Sequence, residues 1–84
     1  MRNSPQAKMW RLKNLAEGEE QMDILIAKDF HVERFSDYHF RINDRLDVWP
    51  STKKWYDRLT MRKGEYNNLI EFVMDFFHYG RSDA

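Results

Sequence analysis

Apolar and polar residues alternate through residues 38–57, YHFRINDRLDVWPSTKKWYD, and this two-residue period predicts a small antiparallel sheet. Tyr38, Phe40 and Ile42 share one strand face, while His39 and Arg41 take the other. Asn43-Asp44 tolerates positive φ and predicts a two-residue hairpin turn without the usual glycine. Beyond it, Leu46 and Val48 face inward, and Arg45, Asp47 and Trp49 face outward. Pro50 cannot donate to a ladder, so it ends that strand or lies on an edge. After a turn at Ser51-Thr52-Lys53, a further strand is expected over 54–59, with Trp55 and Tyr56 on opposite faces. A shorter strand over 32–35 pairs across Ser36-Asp37.

The flanks change to a helical period. Ser4-Pro5 is a cap followed by a proline whose missing N–H costs nothing at a helix start. The helix over 5–16 carries a stripe of Met9, Leu12, Leu15 and Ala16. One helix onward to Lys28 would set Lys8, Arg11 and Lys13 near its positive end, which the macrodipole disfavours. A break at Gly18 would instead place Glu19 and Glu20 at a fresh N-terminus, so two helices are favoured over one. The second buries Met22, Leu25 and Ile26 and ends near Lys28-Asp29. Residues 60–64 read as a basic turn. A last helix over 65–78 buries Tyr66, Leu69, Ile70, Val73 and Phe76 or Phe77, with Phe72 and Met74 widening its apolar face. Tyr79-Gly80 closes it, and 80–84 read as a flexible tail. The expected fold is a single α+β domain over 1–84, with its core at about 5–79. It has one or two N-terminal helices, three to four antiparallel strands and a C-terminal helix, with the helices on one face.

Eighty-four residues need large side chains to fill one core, and six Phe, four Tyr and three Trp supply them. Cysteine is absent, which excludes disulfides and thiolate metal sites and fits a reducing cytoplasm. No apolar h-region marks the first residues as a signal peptide, and the longest aliphatic run, at 24–27, is too short to span a bilayer. The 14 basic and 14 acidic residues cancel, but unevenly. Residues 41–63 hold seven bases and three acids, a local +4 that leaves −4 elsewhere, with the acidic pole at 17–29. That distribution is a dipole whose basic side suits an acidic partner.

Catalysis finds little support. The serines read as caps, turns or tail, and none stands beside a base. Asp44 and Asp47 lack an environment that would shift a carboxyl pKa. A nuclease pattern of Asp followed by acid-x-Lys fails, because Ser51 and Thr52 stand where the acid belongs. The three glycines are isolated, so no phosphate loop exists. His31 and His39, with Asp37 or Asp47, match no metal-ligand spacing. The reading is therefore non-enzymatic, with no cofactor and no metal.

The remaining signal is a surface. Aromatics beside bases suit protein hot spots and base stacking alike. The expected partner-binding residues are His39, Arg41, Arg45, Asp47, Trp49, Lys53 and Lys54. Trp55 reads as core cover, and Trp49 is open between the two roles. A nucleic-acid alternative uses Arg41, Arg45, Lys53, Lys54, Arg58, Arg62 and Lys63. Surplus apolar residues of the last helix allow a homodimer there, and Trp10 reads as core.

Helix, strands, helix is also the order of double-stranded-RNA-binding domains, which the chain resembles in topology. Arg62-Lys63 stands near their lysine cluster, but their Gly-Pro-x-His loop has no counterpart. The segments Tyr38-x-Phe-Arg-Ile-Asn43, Leu46-Asp-Val-Trp-Pro-Ser51, Lys54-Trp-Tyr-Asp57 and Gly64-x-Tyr66 resemble small phage-encoded accessory proteins, with Met61 departing from their Thr-Gly turn. That resemblance implies an inhibitor or modulator docking on a host or defence protein in the host cytoplasm, with no membrane partner.

Overall fold

The computed structural model of the protein describes residues 5–77, with side chains from residue 8. Helix α1 spans Pro5–Ala27 without interruption. The expected break at Gly18 is absent because this glycine serves a close approach. A Cβ there would lie 2.3 Å from Cβ of Pro50 and 2.7 Å from its Cγ. One turn earlier, Asn14 Nδ2 donates to the Ser51 carbonyl at 3.3 Å. The buried face of α1 is thus Asn14, Gly18, Met22 and Leu25, at spacings of four, four and three residues. The expected stripe fails for the same reason: Met9, Leu12 and Ala16 are exposed, as are Trp10 and Ile26. The crossing selects for small size and a matched hydrogen bond, so a count of apolar residues points to the wrong side.

The helix ends in a Schellman motif. Phe30 N–H donates to the Leu25 carbonyl and Asp29 N–H to the Ile26 carbonyl, both at 3.0 Å. Asp29 adopts φ 73°, taking the left-handed position that glycine usually fills. The motif folds Phe30 back into the core, where it is 4% exposed.

Five strands follow as a meander in the order β1-β2-β3-β4-β5, every pair antiparallel. They are β1 (Val32–Arg34), β2 (Phe40–Ile42), β3 (Leu46–Trp49), β4 (Lys54–Asp57) and β5 (Lys63–Glu65). Directly opposed residues share a face. The register therefore puts Phe40, Val48, Trp55 and Gly64 on the core face. Glu33, Arg41, Asp47, Tyr56 and Lys63 form one row across the outer face, with Trp49, Lys54 and Glu65 beside it. Tyr38 falls outside β2 and is exposed. β4 ends at Asp57, two residues short of the expected bound, and Leu59 is exposed.

β5 stands where a basic turn running straight into a helix was expected. Gly64 pairs with Trp55, whose indole lies across it: a Cβ at 64 would meet the ring at 3.0 Å. An aromatic ring covering a glycine shields the backbone of a weak edge strand. Helix α2 begins later than expected and spans Leu69–Phe76. Asn68 caps it, its Oδ1 accepting from Glu71 N at 3.0 Å. Tyr66 thus precedes the helix and enters the core, where burial pushes its phenol pKa up. The expected Ser4 cap and the calls on 78–84 lie outside the described residues.

Both helices pack on the core face. Leu25, Ile42, Leu46, Val48, Leu69 and Val73 are fully buried there. Each such side chain contributes about 1.5–3 kcal/mol of transfer free energy. The surplus apolar residues of α2 join the same layer. Phe72 lies 5.1 Å from Trp55 and 5.9 Å from Tyr66, and Phe76 lies 6.1 Å from Trp55. Trp55 is core cover, as expected. The fold is α+β, with five strands among the described residues in place of three or four. Among the described residues, no helix is long and apolar enough to cross a membrane.

Candidate functional site

Among the described residues no helix covers the outer sheet face, and its side chains pack on one another. Arg41 Nε donates to Asp47 Oδ1 at 2.7 Å, with Nη2 3.4 Å from Oδ2. This bond raises the guanidinium pKa further. The same guanidinium lies 4.4 Å from the Phe35 ring, a cation–π contact on its second side. Phe35 in turn sits 5.1 Å from the His39 ring. His39 stacks on Trp49, with centroids 4.6 Å apart and planes 13° from parallel. His39 Nε2 lies 3.4 Å from Asp47 Oδ1, yet this buried nitrogen makes no hydrogen bond of good geometry. Asp47 is therefore 6% exposed although it stands on the open face, because its own neighbours roof it.

Next to this cluster lies an open groove of about 690 Å³, lined by Trp49, Lys54, Tyr56, Lys63 and Glu65 of the outer face together with Thr52, Trp55 and Gly64. His39, Arg41, Asp47, Trp49 and Lys54 are thus brought together on one face. Arg45 is not among them. Asn43 and Asp44 do take positive φ, 53° and 57°, and Arg45 N–H closes the turn on the Ile42 carbonyl at 3.1 Å. The ladder resumes with Ile42 opposite Leu46, which leaves Arg45 outside the alternation. Its side chain crosses to the core side, pairing with Asp57 through two 2.9 Å bonds and lying 4.8 Å from the Phe76 ring. Lys53 occupies the β3–β4 turn with φ 57°, its Nζ 3.5 Å from the Asn67 carbonyl.

The nucleic-acid set divides as well. Arg41, Lys54 and Lys63 lie on the face. Arg45, Arg58 and Arg62 gather at the sheet end formed by the two turns at 43–45 and 58–62, where Arg58 Nη1 donates to the Asp44 carbonyl at 3.0 Å. The face also carries Glu33, Asp47 and Glu65, so its charge is mixed. The expectation of a cationic face is corrected: Arg45, Arg58 and Arg62 lie off the face, and Glu33 and Glu65 join it from outside 41–63.

Phe35 and Tyr56 were left out of the expected binding set. For Tyr56 the signal was present, since Trp55 as core cover puts its neighbour on the outer face. For Phe35 there was none, because it enters through the β1–β2 turn. Metal donors converge elsewhere than the sequence indicated: ligand atoms of His31, Glu33 and Asp44 all lie within 4.8 Å of one another at the surface. No protein family, no curated protein and no solved structure matches the chain.

Proposed function

We propose that this protein is a non-enzymatic binding module that docks on another protein through its outer sheet face. One observation carries the reading: a face clear of helices among the described residues, where Trp49, His39, Arg41 and Phe35 pack against one another before any partner arrives. Trp, Tyr and Arg are the residue types that dominate protein interfaces. Pre-ordered side chains also lose little conformational freedom on binding. The mixed charge of the face favours a protein surface over a run of phosphates. With the resemblance to small phage-encoded proteins, the partner is a host or defence protein, bound in order to inhibit or modulate it.

The test is capture from host lysate with and without nuclease, using the wild type, Trp49→Ala with Tyr56→Ala, and Leu59→Ala at the far sheet end. A protein held by the wild type and by Leu59→Ala, lost by the double variant and indifferent to nuclease supports the reading. Equal capture by all three would refute it. Nucleic acid alone, released with a log–log salt slope of about −0.9 per duplex phosphate contact, would transfer the function to the basic set.

A further inference from the structure

The two edges of the sheet differ in what lies beside them. β1 is flanked by α1, whose Glu19 reaches Arg34 at 2.7 Å. β5 is open. Asp57 N–H donates to the Arg62 carbonyl at 2.7 Å, and Tyr66 N–H to the Lys53 carbonyl at 2.9 Å. With Trp55 opposite Gly64 between them, alternation turns the main-chain groups of Gly64 toward β4. The N–H and C=O groups of Lys63 and Glu65 must then point out of the sheet, and no hydrogen bond within the described residues takes them up.

This edge is complementary to itself. Two β5 strands run antiparallel about a twofold axis at Gly64 would set Lys63 of one copy opposite Glu65 of the other. Each such pair would exchange both N–H···O bonds. It would also place a base directly against an acid on the same face, a favourable cross-strand pair. Gly64 would oppose Gly64 at the narrow, non-bonded position, where no side chain obstructs the approach. On the core side, each Trp55 indole already lies across its own Gly64, so the two indoles would meet at the axis. We propose that this protein self-associates through β5, joining two five-stranded sheets into one continuous sheet with twofold symmetry. The contact is isologous and closes on itself, so it yields a dimer and no fibre. It is also small, so association is weak and concentration-dependent. The inference does not require the partner-binding reading: it uses the edge main chain, whereas partner docking uses Trp49 and Tyr56.

Sedimentation equilibrium up to about 1 mM tests it, since millimolar is the weak end of specific association. The wild type should pass from monomer toward dimer mass. Lys63→Glu and Glu65→Lys should each weaken association roughly tenfold, because both charge pairs become repulsive. The doubly exchanged variant, Lys63→Glu with Glu65→Lys, should restore it, since every opposed pair is again a base and an acid at unchanged net charge. Amide exchange should slow at Lys63 and Glu65 as concentration rises. A constant monomer mass over the whole range overturns the proposal, as does a double variant no better than the single ones.

Discussion

Two arginine–aspartate pairs, one on each side of the sheet, use the same chemistry for different ends. Arg45–Asp57 lies on the core side, where the carboxylate is 1% exposed. It accepts both Arg45 bonds, Leu59 N–H at 3.0 Å and Thr60 Oγ1 at 2.6 Å. Arg41–Asp47 lies on the open side, where Asp47 meets Arg41 and the poorly aligned His39. The first pair fastens the β4–β5 turn to the β2–β3 turn. The second holds the guanidinium in place beside the rings of a face otherwise open to solvent. What separates them is the number of donors around the carboxylate, with the residue types held constant.

Removing Asp57 should have the largest effect. Asp57→Ala removes the acceptor of both Arg45 bonds, of Leu59 N–H and of Thr60 Oγ1, a loss of about 3–4 kcal/mol at roughly 1 kcal/mol per hydrogen bond. Urea unfolding would measure it, and a change under 1 kcal/mol would erase the contrast between the pairs.

Acid should act through the same residue. Hydrogen bonding to Arg45, with Thr60 and Leu59 behind it, holds the Asp57 carboxyl well below the usual carboxylate range. A folded-state pKa below the unfolded value adds stability that is present above about pH 4 and is lost as pH falls through the lowered pKa. The wild type should therefore destabilise progressively from pH 4 downward. Asp57→Asn, less stable at neutral pH, should show a flatter acid limb; parallel limbs would mean that other carboxylates set it.

Asp47→Ala should cost less, about 1–2 kcal/mol, because only the Arg41 bonds lose their acceptor. Its larger consequence falls on binding, since the guanidinium loses its anchor. The smallest effect belongs to Arg41→Lys, which keeps the charge but not the two-pronged contact or the planar stacking on Phe35. Unfolding free energy should change little, with partner affinity falling further than stability.

Much of the sheet was legible because its period is two. Phe40, Ile42, Leu46 and Val48 alternate with polar neighbours, and Asn43-Asp44 announces its turn. The register broke down at Arg45, where strict alternation continued through a residue that the ladder leaves out. β5 was illegible: Lys63-Gly64-Glu65 has no apolar member, and only its pairing with Trp55 makes it a strand. Gly18 read as a breaker because a glycine in a helix has two causes, flexibility and crowding, and the crowding agent lies more than thirty residues away at Pro50. The candidate site was legible in composition but not in charge. Which arginines remain available depends on which aspartates reach them, and that is fixed by three-dimensional neighbours.

The seat of α1 on the β3–β4 turn has a mechanical consequence. Pro50 follows Trp49 directly, and Gly18 leaves no slack behind it. A load applied to the Trp49 ring from outside meets a braced hairpin tip, with a helix as its backstop. Whatever presses on that ring pushes on the whole molecule.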